Sequence, residues 1–380
     1  MKQIISLTLI LLVVSCATVK KEEMKMPYSQ ADFEKVINGK QTTLFTLKND
    51  NGMVVTLTNY GAKIVSIYVP DKNGKMEDVV LGFKSIDEYV SGDATHGAVV
   101  GPYANRIAGA SFEIDGQTYQ LEVNNHNANL HSGTQSFYRQ VWDGKEITTD
   151  KGPAVEMSLK FPDGASGFPG NKDVKVTYTL TNKNELILDY EATTDKPCFF
   201  NLTNHSYFNL KGEGMGDILG HIVVIDADST TAVGNNELIP TGEIASIKGT
   251  DMDFTTPHKI GERINSDMDQ IKFGGGYDHN YILNKDQNAG EMTFCASVYE
   301  ENSGRYMEVF TTEPAVQFYT GNFLDGSLTG KRGNKYEYRN GLCLETQHYP
   351  DSPHHPNFPN TLLQPGDVLT SETIYKFSVK

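Results

Sequence analysis

An all-β fold, a sandwich or a barrel, is what three features of this 380-residue sequence predict. Polar and apolar side chains alternate with period two in several short segments, Asn-Gly and Asp-Gly pairs punctuate them, and amphipathic helical patterns of more than about ten residues are missing. In 173–180, Val174, Val176, Tyr178 and Leu180 alternate with Lys175, Thr177 and Thr179, as in a strand with one wet and one buried face. Val65, Ile67 and Val69 alternate in the same way with Ser66 and Tyr68. Thr373, Tyr375, Phe377 and Val379 repeat the pattern near the C-terminus. The apolar runs 186–188 and 222–225 read as central strands. Asn51-Gly52, Asn73-Gly74, Asp115-Gly116, Asp143-Gly144 and Asp163-Gly164 read as turns. The best short helix spans 85–89.

Hydrophobic residues make up 38% and charged residues 21%, the balance of a soluble globular chain rather than a disordered one. A formal charge of −15 repels phosphate backbones, which argues against a nucleic-acid partner. Residues 31–380 contain no Pro/Ser-rich linker, low-complexity run or fixed-period repeat, so they read as one domain, expected to be a monomer. Cys198, Cys295 and Cys343 are scattered, odd in number and outside any C-x-x-C spacing. That pattern fits buried thiols, and neither a disulfide framework nor a zinc ribbon.

The N-terminus is a separate unit. Lys2 gives a basic start, 4–14 is apolar apart from Ser6 and Thr8, and small Ser15 precedes Cys16. Residues 1–15 therefore read as a signal peptide, too short to span a membrane. Val13-Val14-Ser15-Cys16 resembles a bacterial lipobox, which makes Cys16 the expected lipidation site. Residues 16–30, with Lys20, Lys21, Glu22, Glu23 and Lys25, read as a polar tether. The expected location is outside the cytoplasm, on the periplasmic or surface side of a bacterial envelope membrane.

Five short segments differ from core strands in being rich in Asn, His, Gly, Asp and Tyr. In the first, Asn105 and Arg106 follow Gly101-Pro102-Tyr103-Ala104, and the guanidinium can fork onto hydroxyl oxygens. The second, 124–133, holds four asparagines together with His126 and His131, more polar groups than a core could satisfy. In the third, His205 stands among Phe199, Phe200, Leu202, Tyr207 and Phe208, where an imidazole can donate a proton near neutral pH. In the fourth, Gly274-Gly275-Gly276 precedes Asp278; the glycines allow close backbone approach to a ligand, and the segment lacks the ending of a phosphate loop. In the fifth, Glu345 follows Leu342-Cys343-Leu344 and precedes a proline-rich turn, at or near a strand end. A carboxylate in an apolar strand is costly unless something uses it.

These five segments, in this order, resemble the aldose 1-epimerase (galactose mutarotase) family, from Phe33 to the C-terminus. The resemblance implies a β-supersandwich, a large, distorted and mostly antiparallel assembly, with a sugar site that needs no catalytic metal or other cofactor. It allows a structural calcium ion without indicating one. Carried over by position, Glu345 is implied as general base and His205 as general acid. Asn105, Arg106 and His126 are implied as sugar-binding residues, Asp278 as the carboxylate that holds hydroxyls, and Gln317 as a further contact. Glucose and galactose are the implied substrates. One departure is His354, where the family often has asparagine; it creates a cluster with His348 and His355, but the prolines exclude a helical metal pair.

The implied chemistry suits these residues. Anomers interconvert by ring opening: a base takes the proton from the C1 hydroxyl and an acid protonates the ring oxygen. A carboxylate and an imidazolium are ready for those roles. Two other readings use the same residues. A non-catalytic surface sugar-binding protein would need the hydroxyl contacts but not the Glu345–His205 pair. A glycoside hydrolase would need Asp278 and Glu345 on opposite sides of a glycosidic bond. A sugar phosphate would call for more cations than Arg106.

Overall fold

The computed structural model describes residues 25–92, 95–286 and 290–380. The signal-peptide segment, Cys16 and the tether as far as residue 24 lie outside the described residues. Nine antiparallel strands form the largest sheet, in the order Asp143–Thr148, Pro153–Phe161, Lys172–Leu180, Glu185–Thr194, Leu369–Val379, Arg305–Thr311, Thr293–Tyr299, Ile222–Ile225 and His258–Lys259. The period-two segments 173–180 and 373–379 lie in it: Val174, Val176 and Tyr178 are buried, and Lys175 and Thr177 between them are part-exposed, whereas Thr179, expected on the wet face, is buried. The last strand pairs with Glu185–Thr194, Tyr375 opposite Leu186 and Thr373 opposite Leu188.

A four-stranded sheet (Leu44–Lys48, Val54–Thr58, Lys63–Pro70, Met76–Asp78) and a five-stranded sheet (Pro240–Ser246, Ala227–Val233, Asp278–Leu283, Ala315–Tyr319, Cys343–Gln347) complete the main layers. One continuous apolar core joins all three, taking in Val55 and Ile67, Val176 and Leu188, and Phe318 and Leu344. Full burial of such a side chain contributes roughly 1.5–3 kcal/mol. The helix Ile86–Ser91 falls where the sequence places one, with the Ser85 Oγ accepting from the Glu88 N–H.

Three expectations are corrected. Lys63–Pro70 has no wet face: Ser66 and Tyr68 are buried too. Ser66 is tolerated there because its hydroxyl accepts from the Tyr28 hydroxyl (2.6 Å) and the Lys331 ammonium (3.1 Å). Asp143-Gly144 is not a turn but the start of a strand, with Gly144 opposite Met157. A Cβ at Gly144 would lie 2.8 Å from the Phe45 ring, so the glycine serves close packing. The glycines 274–276 end the helix Asp269–Gly274, where Gly275 caps it in the left-handed conformation (φ 61°), and none of the three lines the polar cavity described below.

Candidate active site

Three neighbouring strands of the five-stranded sheet carry polar residues on one face. Period two places Asp278 with Asn280, Gln317 with Tyr319, and Cys343 with Glu345 and Gln347. The register sets Asp278, Tyr319 and Cys343 in one row and Asn280, Gln317 and Glu345 in the next. The intervening Phe318 faces the core and stacks on Tyr277. Gln317 Nε2 donates to Asp278 Oδ1 at 2.6 Å, and Gln347 Nε2 to Asn280 Oδ1 at 3.1 Å. Glu345 is thus the middle residue of its strand, not an end residue, and is only 2% exposed.

Two short strand pairs supply the walls. Thr203–His205 pairs with Ala98–Val100, and Arg106–Ala108 pairs with Ala128–Leu130. The cavity between them, about 260 Å³ and open to one side, is lined by Asn105, Arg106, His131, His205, Asp278 and Glu345, with Tyr207, Tyr319 and Phe323 among the rings around it. This is below the roughly 300–1,000 Å³ of drug-sized sites and suits one sugar ring. Asn105 adopts φ 64°, a conformation asparagine tolerates, and its Oδ1 accepts the Arg106 N–H at 2.9 Å. Arg106 Nε donates to Asn125 Oδ1 at 3.2 Å. Behind Arg106, the Asp351 N–H donates to its carbonyl and Asp351 Oδ1 accepts the Ala108 N–H, both at 2.9 Å.

His205 Nε2 lies 3.5 Å from Glu345 Oε2, which has no hydrogen-bond partner. Burial, with Asp278 adding and Arg106 opposing, holds the Glu345 carboxyl well above the usual range. Burial also raises Asp278, against Arg106 and Gln317. The same burial pushes His205 down to about 4, with its own carbonyl opposing and Lys63 adding. The imidazole is therefore neutral near pH 7, a correction to the imidazolium expected from sequence. These opposite shifts favour the carboxyl over the imidazole as the seat of a shared proton, and the pair is best treated as one unit. His131 is kept neutral by burial and by His205 and Arg106.

Residues 43–376 match the family model described as aldose 1-epimerase. The chain is 43% identical over 335 residues to the galactose mutarotase of Bos taurus, covering 88% of this chain and 94% of that one. It is 38% identical over 343 residues to the aldose 1-epimerase of Escherichia coli K12, covering 90% and 96%. The chain belongs to the aldose 1-epimerase family. Two solved structures share its fold with a TM-score of 0.79: the GalM/aldose epimerase homologue of C. elegans, 30% identical over 89% of this chain and 99% of that one, and the galactose 1-epimerase of Lactobacillus acidophilus, 29% identical over 91% and 97%.

Within this aldose 1-epimerase fold, six of the residues selected from sequence come together: Asn105, Arg106, His205, Asp278 and Glu345 at the cavity wall, and Gln317 through Asp278. His126 does not join them. It occupies the exposed tight turn closed by the Ala128 N–H to the Asn125 carbonyl, with φ 49°. His131 takes the pocket position instead, its Nδ1 accepting the Asn105 N–H at 3.1 Å. The flanking Asn125 and Asn127 are turn formers, and that signal marks His126 as the turn residue. Tyr207, Tyr319 and Phe323 were missed because aromatic residues in strand-like segments read as core.

Aldose 1-epimerases act without cofactors. His131, His205 and Glu345 place ligand-type atoms within 4.8 Å of one another, the one such group among the described residues. The Asn105 N–H facing His131 Nδ1 leaves the hydrogen on Nε2, which presents a donor to the cavity where a metal requires a lone pair. This donor set suits hydroxyls. The His348, His354 and His355 cluster dissolves into carboxylate pairs: His348 with Glu313 (2.7 Å), His354 and His355 with Asp351 (2.6 and 3.3 Å). A larger groove of about 890 Å³ runs along the nine-stranded sheet; there Glu191 pairs with Lys175 (3.1 Å), Glu313 with His348 (2.7 Å) and Glu372 with Lys151 (3.6 Å), while burial and the neighbouring Glu372 raise the Asp189 carboxyl to about 7.

Proposed function

We propose that the chain interconverts the α and β anomers of free hexoses, glucose and galactose among them, with Glu345 as base and His205 as acid. The observation that carries this is the buried, unpartnered Glu345 Oε2 standing 3.5 Å from His205 Nε2 at a polar cavity. The two reacting oxygens of a pyranose share one carbon, so acid and base must stand side by side, as these do. A bound C1 hydroxyl donates to Glu345 and favours its carboxylate, which moves the pair's proton to His205 Nε2. Glu345 then takes the C1 hydroxyl proton while His205 gives its proton to the ring oxygen. The C1–O5 bond breaks, leaving an aldehyde and a C5 hydroxyl. Rotation about C1–C2 presents the other face, and the same two groups return their protons in swapped roles.

Arg106, Asp278, Gln317 and the His131 Nε2–H would hold the remaining hydroxyls, which fixes the sugar for reaction. Polarimetry of freshly dissolved α-glucose tests the activity; no acceleration over buffer at micromolar protein, with galactose also inert, ends the proposal. His131→Ala should raise KM about three- to tenfold, the range for one lost neutral hydrogen bond. His126→Ala should leave both constants unchanged, and an equal effect of the two variants would return His126 to the site.

We also infer that residues 1–15 are a leader and that Cys16 is acylated, which would hold the protein on a bacterial envelope membrane. The basic-apolar-small order before Cys16 supports this. Cys16→Ala expressed from the full-length chain should move the protein from the membrane to the soluble fraction; unchanged membrane association would exclude a Cys16 lipid.

A further inference from the structure

The two histidines of the cavity are backed in opposite ways. His131 Nδ1 faces a backbone N–H, from Asn105. His205 Nδ1 faces a sulfur instead, the Cys343 Sγ at 3.5 Å. Cys343 and Glu345 are two apart on one strand and so project to the same face. That strand brackets the imidazole, with Cys343 at Nδ1 and Glu345 at Nε2. Burial keeps the Cys343 thiol protonated, hence a neutral partner. The carbonyl of His205 itself is a second acceptor near the ring, shared with the Gly97 N–H at 2.9 Å.

The acid role needs one tautomer. After giving its proton from Nε2 to the ring oxygen, His205 must be left neutral with hydrogen on Nδ1 and a lone pair on Nε2, ready to take the proton back. An acceptor at Nδ1 selects that form, and a donor there would select the reverse. A carboxylate at Nδ1 would also select it, but would hold the imidazolium too firmly to release its proton. A thiol sulfur is a weak acceptor that does the first without the second.

We propose that Cys343 is the positioning residue of the acid, its sulfur accepting the His205 Nδ1–H and so fixing the tautomer in which Nε2 exchanges a proton with the sugar. This rests on His205 being the acid. The other titratable and charged groups around the imidazole are Glu345, Arg106, Asp278, His131, His96, Lys63 and the Tyr207 phenol, whose ring stacks on it. None of them is altered in the test.

Cys343→Ala removes the acceptor and Cys343→Ser restores one of similar size, so the pair separates acceptance from packing. The alanine variant should lower kcat about three- to tenfold at unchanged KM, as expected for one neutral hydrogen bond. Its acid kcat/KM limb should move to lower pH, because the imidazolium then loses its proton more easily. The serine variant should recover kcat and move the limb back. Ring ¹⁵N shifts of His205 should show the Nδ1–H form in the parent and serine proteins and loss of that preference in the alanine protein. If both variants keep parental kcat, limbs and tautomer, and differ only in melting temperature, Cys343 is packing and the proposal is overturned. His205→Asn, measured alongside, separates the two layers: parental turnover there removes His205 as the acid, whereas a large loss with indifferent Cys343 variants removes only the role of Cys343.

Discussion

Glu345→Gln should give a protein that folds, still binds glucose, and turns over about 10³-fold more slowly, within the 10²–10⁴ range for a positioned acid–base group. The amide keeps the size and the hydrogen-bonding reach of the side chain, but it cannot take the C1 hydroxyl proton. The loss belongs in kcat, with the sugar still held by Arg106, Asp278 and Gln317. Saturation-transfer NMR between the anomers, with a binding titration on the same sample, reads both quantities. Turnover within about tenfold of the parent, less than positioned acid–base groups contribute, would remove Glu345 from the base role.

The same variant should be more stable than the parent. Glu345 is buried with an oxygen that no group in the fold satisfies, a placement that costs free energy and that function requires. Its pKa in the fold lies above its value in the unfolded chain, mainly because of burial. Below the unfolded value both states are protonated and the side chain carries no ionisation penalty. As pH rises from there through the folded value, only the unfolded state ionises freely, and the fold loses stability. Glutamine has no such term. The stabilisation by Glu345→Gln should therefore be smallest in acid and grow with pH, as thermal melts across the range will read; a gain that shrinks with rising pH would contradict the buried-carboxyl account.

Much of the fold was legible because period two is a local signal. The alternations in 173–180 and 373–379 needed no partner to be recognised, and each became a strand of the large sheet. Pairing was not legible: nothing local says that Leu186 will lie opposite Tyr375, almost two hundred residues away. Gly144 shows a second limit. A glycine that makes room for the Phe45 ring looks, in sequence, like one that makes a turn. Within the site, Glu345 and His205 stood out because each is ionisable in an apolar setting. His126 and His131 share one polar segment; the asparagines flanking His126 are the local sign of its turn, and the strand pairing of Leu130 with Arg106 brings His131 to the cavity. The charge state of His205 was misread because reference values apply to solvated groups, and this ring is 5% exposed.

The dependence of kcat/KM on pH should distinguish the paired site from a lone base, through the sign of its slope. Catalysis needs one proton on the Glu345–His205 pair, available to the acid with the base free. Entry of a second proton defines the acid limb, near the His205 value of about 4. Loss of the single proton defines the alkaline limb, at the raised Glu345 value. The parent should thus show a bell that falls on the alkaline side. His205→Asn removes the acid, which should cost about 10²–10³-fold, and it also changes what the remaining rate requires. With no imidazole to carry the proton, residual turnover depends on ionised Glu345 alone. Over the interval where the parent declines, the variant should rise with pH. A variant profile that still falls there would place the titrating proton on some other group, and the pair would no longer account for the reaction.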